Sequence, residues 1–186
     1  MGSSFYVDIA RNAIMAQLKG TYIDKDHWLS LHPSLAHQGA TFVTLTIEGR
    51  LRGCIGSIMA HKPLMDDLIS NAQSAAFHDP RFLPVSESEM DKVRVEVSLL
   101  TPPAEVTYRD AEELSHLIRP HVDGVIMRLG NHQATFLPQV WEELDDFELF
   151  FAHLGHKAGI GSDPLSYHPE IYTYQVEKYK EETDDA

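Results

Sequence analysis

The single cysteine of the chain, Cys54, lies in the segment LRGCIGS, two residues after Arg52 and between Gly53 and Gly56. Alternate side chains of a β-strand share a face, so a strand here would place Arg52 beside Cys54. A guanidinium beside a thiol favours the nucleophilic thiolate, and the two glycines would let a substrate approach the backbone. Cysteines are, however, often buried, and strand glycines often mark only a bulge or a close contact. The segment therefore predicts either a nucleophile, with Cys54 and Arg52 catalytic, or a packed thiol.

A cysteine nucleophile normally needs a base, and the chain has 11 histidines, of which His61 and His78 are nearest to Cys54 in sequence. Nucleophile and base meet in space rather than in sequence, so spacing alone selects neither histidine. Asp79 and Arg81 flank a proline, a pattern typical of a turn held by its own hydrogen bonds. Both side chains could also line a pocket.

A metal site is not predicted. His153 and His156 are three residues apart and would share a helix face, but no third ligand has a supporting spacing. We therefore expect no stoichiometric zinc or iron to co-purify with the protein. LRGCIG also lacks the lysine and serine of a phosphate-binding loop, and the pattern identifies no cofactor.

Composition limits the protein class further. The chain has 186 residues with 43% hydrophobic content and no apolar run as long as a membrane span. Asp8 and Arg11 interrupt the region where a secretory signal would be apolar, which favours a cytoplasmic protein. The formal net charge of −13 disfavours nucleic-acid binding. From about residue 180, the end of the chain is typical of a solvated acidic tail.

Hydrophobic spacing and turn residues predict an α+β fold with a mainly antiparallel sheet and packed helices. The predicted helices are Phe5–Leu18, Pro63 to Asp79, Asp110 to Ile118, and one after Asp145 or Asp146 with an apolar stripe of Phe147, Phe150, Phe151 and Leu154. The predicted strands are a hairpin from Thr41 that turns at Glu48 to Arg50, Val93–Leu100, a second hairpin of 124–129 and 133–136, and Ile171–Tyr179.

Seven segments in this order resemble the AMMECR-type domain family, also called AmmeMemoRadiSam system protein A. They are FVTL, LRGCIG, NAQSAAFHDPRF, VRVEVSLLTPP, DGVIM, ATFLPQVWEEL and KAGI, and the combination of LRGCIG with LPQVWEEL is specific. The resemblance covers nearly the whole chain, most clearly from Thr41 to Ile160. It implies a single domain over residues 1–186, made of two closely associated, interleaved subdomains with a cleft between them.

The resemblance also implies site residues and partners. Residue by residue, it adds Gln139 and Trp141 to Gly53, Gly56, Asp79 and Arg81 as candidates for binding in the cleft. The family's activity is not established, and its frequent association with a Memo-type protein and a radical-SAM protein implies a shared modification pathway. Where many members read LCRKAG, this chain reads LGHKAG, so any thiol chemistry would depend on Cys54 alone.

Two hypotheses follow. In the first, the protein is a small enzyme in which Cys54 is a nucleophile or acyl carrier and Arg52 supports it or clamps an anion. In the second, it is a binding or adaptor module in which Cys54 is a packed thiol without chemistry. A role near nucleic acid is disfavoured by the acidic balance.

Overall fold

A computed structural model describes residues 4–181, which fold as two compact units. The first unit is built from the chain up to Leu100 and from Glu177 onward, and the second from Thr101–Val176. Both units combine helices with a four-stranded sheet whose assigned pairings are antiparallel. The predicted α+β class is therefore confirmed, with two sheets where the sequence indicated one.

The first unit packs helices on one face of its sheet. Its elements are α1 (Phe5–Lys19), α2 (Lys25–Leu31), β1 (Ala40–Ile47), β2 (Arg50–Gly56), α3 (Leu64–Phe77), β3 (Val93–Leu100) and β8 (Val176–Lys180), with sheet order β2-β1-β3-β8. Leu45 and Val95 on this face lie in one buried cluster with Ile14 of α1 and Leu68 of α3. The opposite face carries the polar residues of the alternating strands.

Local signals explain the ends of the two long helices. The Ser4 side chain accepts a hydrogen bond from the Tyr6 N–H at the start of α1, and Gly20 ends the helix in the left-handed conformation with φ 69°. Helix α3 begins after Pro63 and ends at Phe77, just before the Asp79-Pro80 pair that disfavours helix. The predicted helices at these positions are confirmed.

The second unit surrounds a core of aromatic side chains. Its elements are β4 (Ala104–Val106), α4 (Ala111–Leu117), β5 (Gly124–Leu129), β6 (His132–Phe136), α5 (Phe147–Ala158) and β7 (Glu170–Tyr174), with sheet order β4-β7-β5-β6. Phe150 of α5 is fully buried and stacks on Trp141 with ring centroids 3.6 Å apart. The Trp141 indole N–H donates to the Asp123 carbonyl at 2.9 Å, so the buried polar group of this core is satisfied.

The prediction of one final strand over Ile171–Tyr179 is wrong. The strand divides at Gln175 into β7, which joins the sheet of the second unit, and β8, which joins the sheet of the first. Gln175 exchanges hydrogen bonds with Thr101, which donates its N–H to the Gln175 carbonyl and accepts the Gln175 N–H on Oγ1. An alternating pattern cannot show that its two halves pair with different sheets. Helix α2 and strand β4 were also not predicted.

Glu181 is the last described residue of the chain and the first acidic residue after position 180, where the predicted tail begins. Glu181 forms two hydrogen-bonded contacts of 2.7 Å with the Arg11 guanidinium and accepts the Val95 N–H at 2.6 Å. This ion pair fastens the end of β8 to α1. Residues 182–186 of the predicted tail lie outside the described residues. None of the helices in residues 4–181 is long and apolar enough to span a membrane.

Candidate functional site around Cys54

Cys54 lies on the face of the first sheet opposite to its helices. It pairs with Thr44 of β1, which pairs in turn with Glu96 of β3, and directly paired residues point to the same side of a sheet. We call these three side chains, Cys54, Thr44 and Glu96, the Cys54 face. The Cys54 sulfur lies 3.2 Å from Thr44 Oγ1, where either group can donate the hydrogen bond.

Arg52 lies at a β-bulge. The register pairs Leu45 with Gly53 and Thr46 with Leu51, so Arg52 has no opposite residue on β1. A bulge interrupts the alternation of side chains and redirects those beside it. The expectation that Arg52 and Cys54 lie side by side assumed unbroken alternation, which this strand does not have.

The Arg52 guanidinium is paired with Glu89. Its Nε donates to Glu89 Oε1 at 3.0 Å and its Nη2 donates to Oε2 at 3.3 Å. These hydrogen bonds are the main reason that the pKa of Glu89 is lowered. Arg52 Nη1 is buried without a hydrogen-bond acceptor among the described residues, and the guanidinium carbon lies 5.9 Å from the centre of the Phe82 ring. Arg52 therefore anchors β2 to a neighbouring segment, and its catalytic role stays a prediction.

Gly53 and Gly56 allow close packing rather than substrate approach. A Cβ atom on Gly53 would lie 2.1 Å from the carbonyl oxygen of Ala75 on α3. A Cβ atom on Gly56 would lie 2.1 Å from Cγ of the Phe42 ring. Protein atoms already fill the space beside both glycines. These glycines therefore have a structural role in close packing, in place of the predicted binding role.

Asp79 joins Arg81 to the backbone of Cys54. Its carboxylate accepts the Cys54 N–H at 3.0 Å, the Arg81 N–H at 3.1 Å, and the Arg81 Nε and Nη2 groups at 3.0 and 2.8 Å. The Asp79 side chain is buried, whereas that of Arg81 is 56% exposed. The hydrogen bonds from the Arg81 side chain, assisted by those from the two backbone N–H groups, hold the pKa of Asp79 well below its usual range. One buried carboxylate thus fixes an exposed cation next to the strand that carries the thiol.

We expect Asp79→Asn to lower the free energy of unfolding at pH 7 by about 1–3 kcal/mol, because buried donors lose a charged acceptor. Since the folded pKa of Asp79 is depressed, its contribution is present above the unfolded carboxyl pKa of about 4 and is lost as the pH falls through the folded pKa. The difference between wild type and variant should therefore shrink below about pH 4.

Urea denaturation across this pH range measures the Asp79 effect. Asp66→Asn is the control, since Asp66 is a half-exposed carboxylate that pairs with Lys25 on the surface. A constant difference between wild type and Asp79→Asn over the whole range would contradict the assigned ionisation.

The surroundings of Cys54 favour the neutral thiol over the thiolate. Burial raises the pKa of Cys54, and the charges of Asp79 and Glu96 also raise it, against the lowering effects of the Thr44 hydrogen bond and the Arg81 charge. This direction is opposite to the lowering that the sequence predicts, and Arg52 is not among the groups that shift the pKa of Cys54. The cation that acts on the sulfur is Arg81.

Among residues 4–181, no assigned hydrogen bond joins a histidine to the Cys54 sulfur. The assigned hydrogen bond of the Cys54 sulfur goes to a threonine; His61 contacts the Met59 carbonyl, and His78 is exposed at the end of α3. His153 and His156 are both exposed on α5. Within residues 4–181, no three His, Cys, Asp or Glu side chains are grouped so that they could hold a metal ion.

The two candidates taken from LPQVW lie in the second unit. Trp141 has 0% exposure and belongs to the aromatic core, so its predicted binding role is corrected to a structural one. Gln139 is exposed in the short 3-10 helix Pro138–Glu142. Sequence reasoning missed Thr44 and Glu96, which could be found only from the strand register, and Glu89, which is 37 residues from Arg52.

Comparison with known proteins identifies the family. The family model described as AMMECR1 matches residues 7–179. The chain belongs to the AMMECR1 family. It is 41% identical over 181 residues to a protein of Methanothermobacter thermautotrophicus, covering 95% of this chain and 92% of the relative. The similarity to a protein of Methanosarcina barkeri is 37% over 179 residues, covering 94% and 88% of the two chains.

A solved structure shares the AMMECR1 fold of this chain. It is the crystal structure of an uncharacterized protein from Pyrococcus horikoshii, with a TM-score of 0.85 and 37% sequence identity. The match covers 97% of this chain and 91% of the other. The names of these relatives assign no activity.

Proposed function

We propose that this AMMECR1-domain protein binds a small molecule or peptide segment that carries an anionic group, with Arg81 recognising the anion beside Cys54. The observation that carries the proposal is the Asp79 carboxylate, which holds both the Arg81 guanidinium and the Cys54 backbone. An arginine fixed before binding loses little further freedom when a ligand arrives.

The exposed part of Arg81 can donate further hydrogen bonds. Its Nε and Nη2 groups bond to Asp79, while Nη1 has no acceptor among the residues that the structure describes. The Arg81 guanidinium carbon lies 5.5 Å from the centre of the Phe82 ring, a cation–π contact that further restricts its position. A carboxylate or phosphate oxygen is the partner that such a guanidinium recognises best.

Catalysis by Cys54 is the second candidate. The Arg81 charge and the Thr44 hydrogen bond both lower the pKa of the thiol, as an enzyme would require. Burial nevertheless raises the pKa of Cys54 overall in the free protein. A nucleophilic role would need a bound substrate or a partner protein to reverse that balance. Binding is therefore the function that this geometry supports best.

Comparing two alkylating reagents tests the anion site. Iodoacetate carries a carboxylate and iodoacetamide does not, and the single cysteine makes labelling specific for position 54. We expect the ratio of the iodoacetate rate to the iodoacetamide rate to exceed that of a free thiol and to fall about fivefold in Arg81→Gln, since an exposed ion pair contributes up to about 1 kcal/mol.

Arg119→Gln is the matched control for Arg81→Gln. Arg119 also pairs with a buried carboxylate, that of Asp123, and its side chain is 62% exposed, but it belongs to the second unit. An unchanged ratio in Arg81→Gln, or an equal fall in both variants, would contradict anion recognition by Arg81. Labelling only after denaturation would show that the thiol is inaccessible and would reject this face as the site.

We propose further that the protein works with Memo-type and radical-SAM proteins in a modification pathway, on the support of the family resemblance. The test is size-exclusion chromatography of this chain mixed with the Memo-type and radical-SAM proteins from its own source. Co-elution with either one is the expected result, and independent elution of all three at micromolar concentrations would contradict a stable complex.

A further inference from the structure

A groove of about 830 Å³ lies on the second unit beside α4 and α5, and it contains none of the residues of the Cys54 face. Its apolar lining includes Phe147, Leu149, Phe151 and Leu165. Leu149 is 51% exposed although it lies one residue from the buried Phe150. The groove therefore presents hydrophobic side chains on an otherwise acidic protein.

The rim of the groove is negatively charged. Glu112, Asp146, Glu148 and Asp163 line it, and its lining contains no lysine, arginine or histidine. No ion pair assigned within residues 4–181 neutralises any of these four carboxylates. Apolar side chains beside carboxylates that have no ion pair are complementary to a segment that carries apolar and basic side chains together.

Helix stabilisation accounts for only part of this arrangement. Asp146 caps α5 by accepting the Leu149 N–H at 3.3 Å, and Glu148 and Glu112 lie in the first turns of α5 and α4, where acidic residues are favourable. Asp163 has no such position in an α-helix. Helix capping also gives no reason for an exposed leucine between the acidic groups.

We propose that this groove binds a basic amphipathic segment of another protein. Apolar side chains of that segment would pack against Leu149 and Phe147, and its lysine or arginine side chains would pair with the carboxylates of the groove. The acidic rim repels nucleic acid and anionic lipid surfaces. It also disfavours a second copy of this chain, whose formal net charge is −13. Both the lining of the groove and the net charge of the chain therefore favour a basic partner.

Fluorescence anisotropy with a labelled amphipathic peptide of leucine and lysine tests the proposal on the full chain. The same peptide with glutamate in place of lysine is expected not to bind. Leu149→Ser should weaken binding of the lysine peptide about tenfold, because it removes an exposed apolar side chain from the lining of the groove. The matched control is Leu117→Ser, since Leu117 is 45% exposed on α4 but does not line the groove.

Charge variants distinguish binding in the groove from non-specific attraction of a basic peptide to an acidic protein. Glu148→Gln should weaken binding about threefold, whereas Glu143→Gln, at an exposed position outside the groove lining, should have no effect. Equal losses in Glu148→Gln and Glu143→Gln, or in the two leucine variants, would overturn the proposal. So would failure of the wild type to bind, or a dimer in sedimentation analysis that Leu149→Ser dissociates.

Discussion

Phe150→Ala is expected to lower the free energy of unfolding by about 3–5 kcal/mol, the range for removal of a fully buried aromatic ring. Phe150 has 0% exposure, stacks on Trp141, and lies edge-on to Phe136 with ring centroids 5.3 Å apart. Its loss would leave a cavity in the centre of the aromatic core, and Trp141 would lose its stacking partner. The apolar stripe predicted for α5 is confirmed by the burial of Phe150, Phe151 and Leu154.

Tryptophan fluorescence during urea denaturation measures the effect of Phe150→Ala. The two tryptophans report on different units, since Trp28 lies in the first unit and Trp141 in the second. In a Trp28→Phe background, the fluorescence therefore comes only from Trp141 in the affected core. Leu149→Ala is the neighbouring control and should change stability by less than about 0.5 kcal/mol, because its side chain is half exposed. An unchanged midpoint for Phe150→Ala would mean that the ring is not part of the core.

Gly53→Ala should destabilise the first unit by about 3 kcal/mol, the upper part of the usual range for overpacking. The added methyl group would lie 2.1 Å from the Ala75 carbonyl oxygen, and a backbone atom cannot move aside as a flexible side chain can. The expected change is a lower urea midpoint for Trp28 fluorescence. Leu51→Ala is the control on the same strand, since Leu51 is 43% exposed.

Gly56 provides a comparison, because its added methyl group would meet the Phe42 side chain rather than backbone. Phe42→Leu should therefore recover part of the stability lost in Gly56→Ala, while no single side-chain change should recover Gly53→Ala. If Gly53→Ala kept wild-type stability, Gly53 would not be needed for the contact between β2 and α3. The interpretation that Gly53 lets a substrate approach the backbone would then be favoured again.

The sequence predicts the elements whose signals are local. The limits of Val93–Leu100 agree with β3 because its alternation is regular and Pro102-Pro103 follows. The helix predicted from Asp110 begins directly after that residue, whose side chain accepts the Glu113 N–H at 2.9 Å and so caps α4. These features depend on neighbours only a few residues away, so no tertiary information was needed.

The site depends on contacts that are distant in sequence. The LRGCIGS pattern placed Cys54 on a strand correctly, but it did not show that the register shifts at Arg52 or that Glu89 is the partner of that arginine. For DPRF, the prediction of a turn held by its own hydrogen bonds agrees with the structure, whereas a pocket lined by Asp79 and Arg81 stays a prediction. Asp79 holds the turn through the Arg81 N–H, and the same carboxylate bonds to the Cys54 N–H, 25 residues away.

Arg81, and not Arg52, is the cation that lowers the pKa of the Cys54 thiol. The most direct measurement is the pH dependence of iodoacetamide labelling in wild type, Arg81→Gln and Arg52→Gln. Because burial outweighs the favourable interactions of the thiol, we predict a wild-type midpoint above that of a free cysteine, about 8.5. Arg81→Gln should raise the midpoint further, whereas Arg52→Gln, whose guanidinium is paired with Glu89, should leave it unchanged. A midpoint below that of a free thiol would show that burial does not dominate the pKa of Cys54. A shift in Arg52→Gln without one in Arg81→Gln would show that Arg52 is the cation that acts on the thiol.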